Sequence, residues 1–450
     1  MIGLNKIGLD QVQLNRLRLN APFPTCRKMA GGGGSSDGFP QLPGDVTRWY
    51  FGGLTNEMMA AMDDPRIEDA DHKGRFLSFK NFAWKEGSGI SDVYPGALVF
   101  DGVDDCGTCN NFPVLTKGKG YTVVVLRQWD QDFLNTTLTG GLLSTRNYST
   151  GEGVAFEKIE SSNKGYWNLG AGGIIDFAKS PFTWQTSKQY NNVGILKGDK
   201  NHGKPLCVGC GLSGGQQCGR FAIWELVFLD HDATEEELTK IKDYFVKTYP
   251  WLFFDQAWTV VGKTNEDEDR ATIANITGNG NNLVLSNFGF AEGSGYNEQG
   301  EYAGYLVTDG VDDKITSSTF EMGNDWTVIG DWELINTGKN DNAGIVKFNS
   351  IVIYNYNPIL INIKNGRNNL IPDQNTVNAI CSDGRIYSKD WKESIYNEET
   401  ESTSKNLLTI GYSGNSYTKI AFKNLAIYPT ILSKEDCIKA YNYLQTLKAK

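Results

Sequence analysis

Leu98-Val-Phe-Asp-Gly-Val-Asp-Asp105 is answered, 208 residues later, by Leu306-Val-Thr-Asp-Gly-Val-Asp-Asp313. Outward from this phrase the match continues in both directions. Residues 81–89 read NFAWKEGSG and residues 287–295 read NFGFAEGSG. Tyr121-Thr-Val-Val-Val-Leu126 is matched by Trp326-Thr-Val-Ile-Gly-Asp331, and Ile223-Trp-Glu-Leu-Val-Phe-Leu229 by Phe422-Lys-Asn-Leu-Ala-Ile-Tyr428. The four offsets (206, 208, 205 and 199) keep their order and drift by only a few residues, as two copies of one domain with different loop lengths would. The 450-residue chain therefore reads as a duplication.

Each copy spans about 200 residues, enough for one all-β domain. The matched segments alternate or run apolar and stop at Gly, Asn or Asp, which is the pattern of strands and turns. Fifty-one Gly against 13 Pro, with 22 Phe and 20 Tyr, favour many short strands over long helices. Each copy then closes with a helix signal. Thr234-Glu-Glu-Glu237 is a capping box ahead of Leu238, Ile241 and Phe245, and Ser433-Lys-Glu-Asp436 precedes Ile438, Tyr441 and Leu444. The prediction is a mostly β protein: two tandem antiparallel jelly-roll sandwiches, each ending in one short helix, behind an N-terminal arm of short repeated strands. The expected boundaries are an arm at 1–30, a Gly/Ser-rich linker at 31–44 that contains GGGGSSDG, a first sandwich at 45–252 and a second at 253–450.

Several function classes recede on composition alone. A net charge of −10 argues against wrapping a nucleic-acid backbone. No run approaches the roughly 18 apolar residues of a membrane span, and residues 1–20 lack the apolar core of a secretory signal, so neither a membrane nor a secretory route is expected. Three His leave little room for imidazole chemistry.

The arm has a five-residue beat: Ile2-x-Leu4-Asn5, Ile7-x-Leu9-Asp10, Val12-x-Leu14-Asn15 and Leu17-x-Leu19-Asn20. Apolar residues at i and i+2 make a strand face, and Asn or Asp turns the chain. Such pieces cannot bury their edges alone. Ile2, Leu4, Ile7, Leu9, Val12, Leu14, Leu17 and Leu19 are therefore expected to anchor a homo-oligomer or to dock on another protein. The plainer alternative is one strand added to the first sandwich. Residues 1–30 carry +4 and the remainder −14, the layout of a basic docking tag on an acidic body.

On the Phe100-Asp-Gly-Val-Asp-Asp105 segment and the strand-then-helix ends at 223–249 and 422–447, each half resembles a laminin-G-like, concanavalin A-like jelly roll. Tandem copies behind a short repetitive N-terminus are similar to surface fibre proteins, head fibres or tail appendages, of crAss-like Bacteroides phages. The resemblance implies a virion location, attachment to capsid or tail proteins through the arm, and glycan binding on the host surface.

Candidate sites are few. A glycosidase needs two paired carboxylates, and family enzymes similar to laminarinases carry an E-x-D-x-x-E strand. Trp224-Glu225-Leu226 and Trp332-Glu333-Leu334 each offer one acid with no partner two residues on. No H-E-x-x-H stretch occurs, and with only single acids on those strands no enzyme is expected. Asp101, Asp104 and Asp105, like Asp309, Asp312 and Asp313, have the oxygen chemistry of a calcium site but read first as turns whose carboxylates bond nearby amides. Cys106-Gly-Thr-Cys109 and Cys207-Val-Gly-Cys210 are two C-x-x-C knuckles about 100 residues apart. A structural zinc on Cys106, Cys109, Cys207 and Cys210, with His202 or Cys218 replacing one ligand, stands beside disulfides and inert buried thiols. Cys381 and Cys437 show no pairing in sequence. Aromatic residues beside Asn and Asp, as in Ser350–Asn357, suit sugars, but no ligand pocket can be assigned.

The resulting expectation is a non-enzymatic structural protein of a phage virion that displays glycan-binding jelly rolls, without required cofactor. Behind it stand a bacterial surface or secreted glycan-binding protein and then a glycan-degrading enzyme.

Overall fold

Arg220–Leu229 and Ile420–Tyr428 are nearly continuous apolar runs, and each becomes the long strand around which its copy is built. A strand buried on both faces has no reason to alternate, and only Arg220 is exposed in the first of them. The computed structural model describes residues 38–112, 122–134, 136–145, 205–212, 216–278, 280–335, 377–395, 407–413 and 416–449, with the backbone of eight further strands between 155 and 197 and between 344 and 370. The anchor residues from Ile2 to Leu19 and His202 lie outside the described residues.

The protein is mostly β, with four short helices among the described residues: Asn56–Ala60, Gln131–Leu134, Glu235–Thr248 and Lys434–Leu444. In the first copy Arg220–Leu229 pairs antiparallel with Val46–Tyr50, Ala97–Asp101 and Thr122–Trp129 in a six-stranded sheet, opposite a ten-stranded one. In the second, Ile420–Tyr428 pairs in the same way with Gln256–Thr259, Tyr305–Val307 and Thr327–Leu334. Both sheets of the second copy have eight strands. Its core lies between them: Leu283, Leu285, Ile315 and Ile410 from one sheet meet Val328, Trp332, Phe422 and Leu425 from the other. Every ladder among the described residues is antiparallel except the single bridge between Cys218 and Gly141. Contacts divide the chain into two units. One holds the described residues up to Ser91, then Gly96–Asp176 and the stretch ending at Glu237; the other holds Asp92–Pro95 and the chain from Leu238 onward.

The duplication extends to small devices. The register of the long strand slips at Trp224 in one copy and at Lys423 in the other, the same position 199 residues on. Thr122 Oγ1 donates to His231 O (3.0 Å) and accepts from Ala233 N (2.8 Å). Thr327 Oγ1 does the same with Thr430 O and Leu432 N, at 2.9 Å each. Helix caps follow: Thr234 Oγ1 accepts from Glu237 N (3.3 Å) and Ser433 Oγ from Asp436 N (3.1 Å).

The repeated NF-x-x-x-EGSG stretch explains its own composition. Asn81 (φ 69°) and Asn287 (φ 71°) take left-handed backbone, where Asn is tolerated. Their side-chain amides donate to the carbonyls of Asp104 (3.0 Å) and Asp312 (2.9 Å). Gly102 and Gly310 stand at φ 78° and 76° in the Asp-Gly turns, where a Cβ would meet Arg220 or Lys419.

Candidate functional site

The strand Thr327–Leu334 sends Trp332 fully into the core, so alternation puts Asp331 and Glu333 together on its other face. Asp331 is only 9% exposed, yet it is richly partnered. Tyr305 Oη donates to both of its carboxylate oxygens at 3.2 Å. A second hydroxyl, that of Tyr441 on the C-terminal helix, also bonds Asp331. Lys423 Nζ stands 3.9 Å from Asp331 Oδ2 and 5.6 Å over the Tyr305 ring. Glu333 faces Lys389 Nζ at 3.6 Å. Trp391 meets Tyr441 edge-on at 5.7 Å, and Tyr302 meets Tyr305 at 6.3 Å.

Burial, and then the negative Asp331, push the Tyr305 and Tyr441 hydroxyls above their ordinary range, so both remain donors at any ordinary pH. The cluster therefore offers carboxylate acceptors, hydroxyl and ammonium donors, and aromatic rings in one half-buried patch. That combination suits a polyhydroxylated ligand, which has an apolar face and a hydrogen-bonding rim. Elsewhere in the second unit, a shallow cleft among Gln256, Phe320, Trp326 and Tyr428 has room, about 10 Å³, for little more than one water.

Sequence reasoning missed this cluster. Glu333 has no acid two residues on, but its neighbour on the strand face stands two residues before, at Asp331. A search for paired acids in both directions along the strand finds it; the tyrosines, from a neighbouring strand and the terminal helix, carry no such signal. Glu225, the other single acid, is buried against Arg48, with Nη1 to Oε1 at 2.9 Å.

The aspartate phrases are built as turns. Asp101 Oδ1 accepts from Val103 N (2.7 Å), and Asp105 Oδ2 accepts from Asp101 N (2.9 Å) while its Oδ1 accepts from Ser88 Oγ (3.0 Å). Asp309 and Asp313 repeat the backbone bonds at 2.7 and 2.8 Å. The three carboxylates of each turn lie within 4.8 Å of one another, and Asp101, Asp105, Asp309 and Asp313 each accept from an amide of the loop itself. Burial is the main cause that raises Asp105 to about 7 and Asp313 to about 6.

Of the proposed zinc ligands, the structure brings Cys106, Cys207 and Cys210 together, and joins them with Cys218. Cys109 stands apart, with Sγ 3.5 Å from Asn111 Oδ1, and burial pushes its thiol up to about 12. Cys210 and Cys218 are disulfide-bonded. In the second copy Cys381 and Cys437, unpaired on the sequence reading, are hydrogen-bonded to each other, one from a strand and one from the terminal helix.

No protein-family model matches the sequence, and no curated protein does. Among solved structures the chain is similar to a Trypanosoma rangeli sialidase in complex with sialic acid, at 8% identity over 86% of this chain and 69% of that one, with a TM-score of 0.31. It is likewise similar to the botulinum neurotoxin serotype D ligand binding domain in complex with N-acetylneuraminic acid, at 9% identity over 80% of this chain and 94% of that one, TM-score 0.30. At 8–9% identity and TM-scores near 0.3, these likenesses carry nothing about what this chain does. They do correct the expectation that the chain is no enzyme: similar structures include an enzyme, so the exclusion drawn from the single acids is withdrawn. Among the described residues, no helix is long and apolar enough to cross a membrane.

Proposed function

We propose that this chain is a surface-displayed, glycan-binding protein of a phage virion, with a docking arm at 1–30, a linker at 31–44 and sandwich domains at 45–252 and 253–450. The observation that carries the binding reading is the Asp331–Glu333 patch with Tyr305, Tyr441 and Lys423 around it. The known sugar ligands of the two similar solved structures agree with it in class. The virion placement rests on the resemblance to phage surface fibres and on the arm's basic, pentad-repeated sequence. Weak sugar sites repeated over an oligomer on one particle gain effective affinity without any new contact.

A glycan array probed with the full chain tests the binding reading. The expected result is a defined set of sugars whose signal falls about tenfold or more in Asp331→Asn and Tyr305→Phe, each of which removes about one hydrogen bond's worth of affinity. Binding that ignores both substitutions would move the site elsewhere. A reducing-sugar assay on the same preparations reads out any turnover by the paired acids. Deleting residues 2–20 and weighing the product tests the arm: loss of the oligomer and of particle incorporation is expected, and an unchanged assembly removes the anchor.

A further inference from the structure

Cys106, Cys207, Cys210 and Cys218 pack in one buried cluster drawn from three separate stretches of the first unit. Cys106 Sγ and Cys207 Sγ are 3.0 Å apart and unbonded to each other, while Cys210 and Cys218 face each other across a short hairpin and are joined. We propose that in the reduced chain these four cysteines are a structural site for a soft divalent cation, zinc by preference, and that the bonded Cys210–Cys218 pair is its oxidised, metal-free form.

Three observations favour metal over a second disulfide. Cys207-Val-Gly-Cys210 forms a tight turn: Gly209 has φ +97°, and a Cβ there would collide with the Phe100 ring. Such a turn holds Cys207 and Cys210 in the C-x-x-C spacing of a sulfur knuckle, the arrangement a thiolate-bound metal uses. Main-chain bonds then lock the surrounding loops, with Gly209 N donating to Leu142 O (2.7 Å) and Gly219 N to Gly209 O (2.8 Å). Finally, all four cysteines are at most 8% exposed, and structural zinc sites are closed, four-coordinate and rich in sulfur. The donor set is all thiol, which selects zinc or a similarly soft ion over calcium or magnesium.

The chemistry balances in two steps. A dithiol reductant gives two electrons and two protons to the Cys210–Cys218 bond, becomes a disulfide itself and leaves four thiols. Zinc then binds as the four thiols lose four protons.

Full-length chain purified under a dithiol reductant and incubated with zinc chloride tests this by elemental analysis after gel filtration. One zinc per chain is expected, with zinc lost in Cys106→Ser and Cys218→Ser and kept in Cys109→Ser. As zinc loss in a misfolded serine variant would not report on the site, wild-type protein loaded with cobalt(II) supplies an independent readout, the intense absorption of a tetrahedral thiolate complex. Wild-type protein that stays metal-free with all eight of its thiols titratable overturns the proposal. So does zinc that depends on Cys109 rather than Cys218, or a pair of disulfides at these positions that survives the reductant.

Discussion

In the first copy Arg48 Nη1 stands 2.9 Å from Glu225 Oε1, with the two side chains 3% and 0% exposed. The equivalent ladder positions of the second copy hold Ala257 and Asn424, and Asn424 Nδ2 donates instead to Leu444 O on the terminal helix, at 3.3 Å. On the sheet of the proposed site the contrast reverses. Tyr305, Asp331, Glu333 and Lys423 of the second copy correspond to Ala97, Leu126, Gln128 and Trp224 of the first. What the copies keep is backbone-directed: the register slip, the threonine clasp, the Asn81 and Asn287 amides, the capped helix. These fix where strands lie and leave the side chains on each face free to differ. Duplication here has preserved a frame and separated its surfaces.

The largest effect should come from the charge difference. Glu225→Ala leaves Arg48 buried without its carboxylate and should cost about 3–5 kcal/mol, read by chemical denaturation. Arg48→Ala combined with Glu225→Asn copies the second domain's residues and should cost less than Glu225→Ala alone. If the double variant is the worse of the two, the pair and the Ala/Asn solution are not interchangeable within one frame.

The turns should differ less, and by pH. Burial raises Asp105 to about 7 and Asp313 to about 6, both above the ordinary ~4 of a carboxyl. Groups raised in the folded state stabilise fully below that ordinary value and lose the contribution as pH rises through the folded one. The urea midpoint should therefore fall as pH rises from about 4 to about 7. Asp105→Asn should flatten the fall more than Asp313→Asn, and equal slopes in both variants would show that burial does not separate the two turns.

The smallest effect should be shared. Thr234→Ala and Ser433→Ala each remove one helix cap and should cost about 1 kcal/mol. Thermal melts of the two variants test whether the caps are equivalent; a cost in one only would mark where the copies diverge in their helices as well.

Duplication, strand content and the terminal helices were legible because they depend on local periodicity and on turn residues such as the repeated Asp-Gly, whose conformational demands act over a few positions. The turn reading of the aspartates was legible for the same reason, since Asp101 bonds its own neighbours. Less was legible wherever the partner is distant. Cys218 replaces Cys109 in the sulfur cluster because a hairpin sets it opposite Cys210, and spacing alone favoured the nearer C-x-x-C cysteine.

By itself, then, the sequence determined that one mostly β module occurs twice, with its turns and caps in place, because those features are written in residues close together along the chain. Tertiary structure alone decided that Glu225 serves an ion pair, that Asp331 meets Tyr305 and Tyr441, and which four cysteines pack together. Each of these joins residues from different strands or from a strand and a helix. Strand order and register create such contacts, and both are set by packing of the whole sheet rather than by any short stretch of chain.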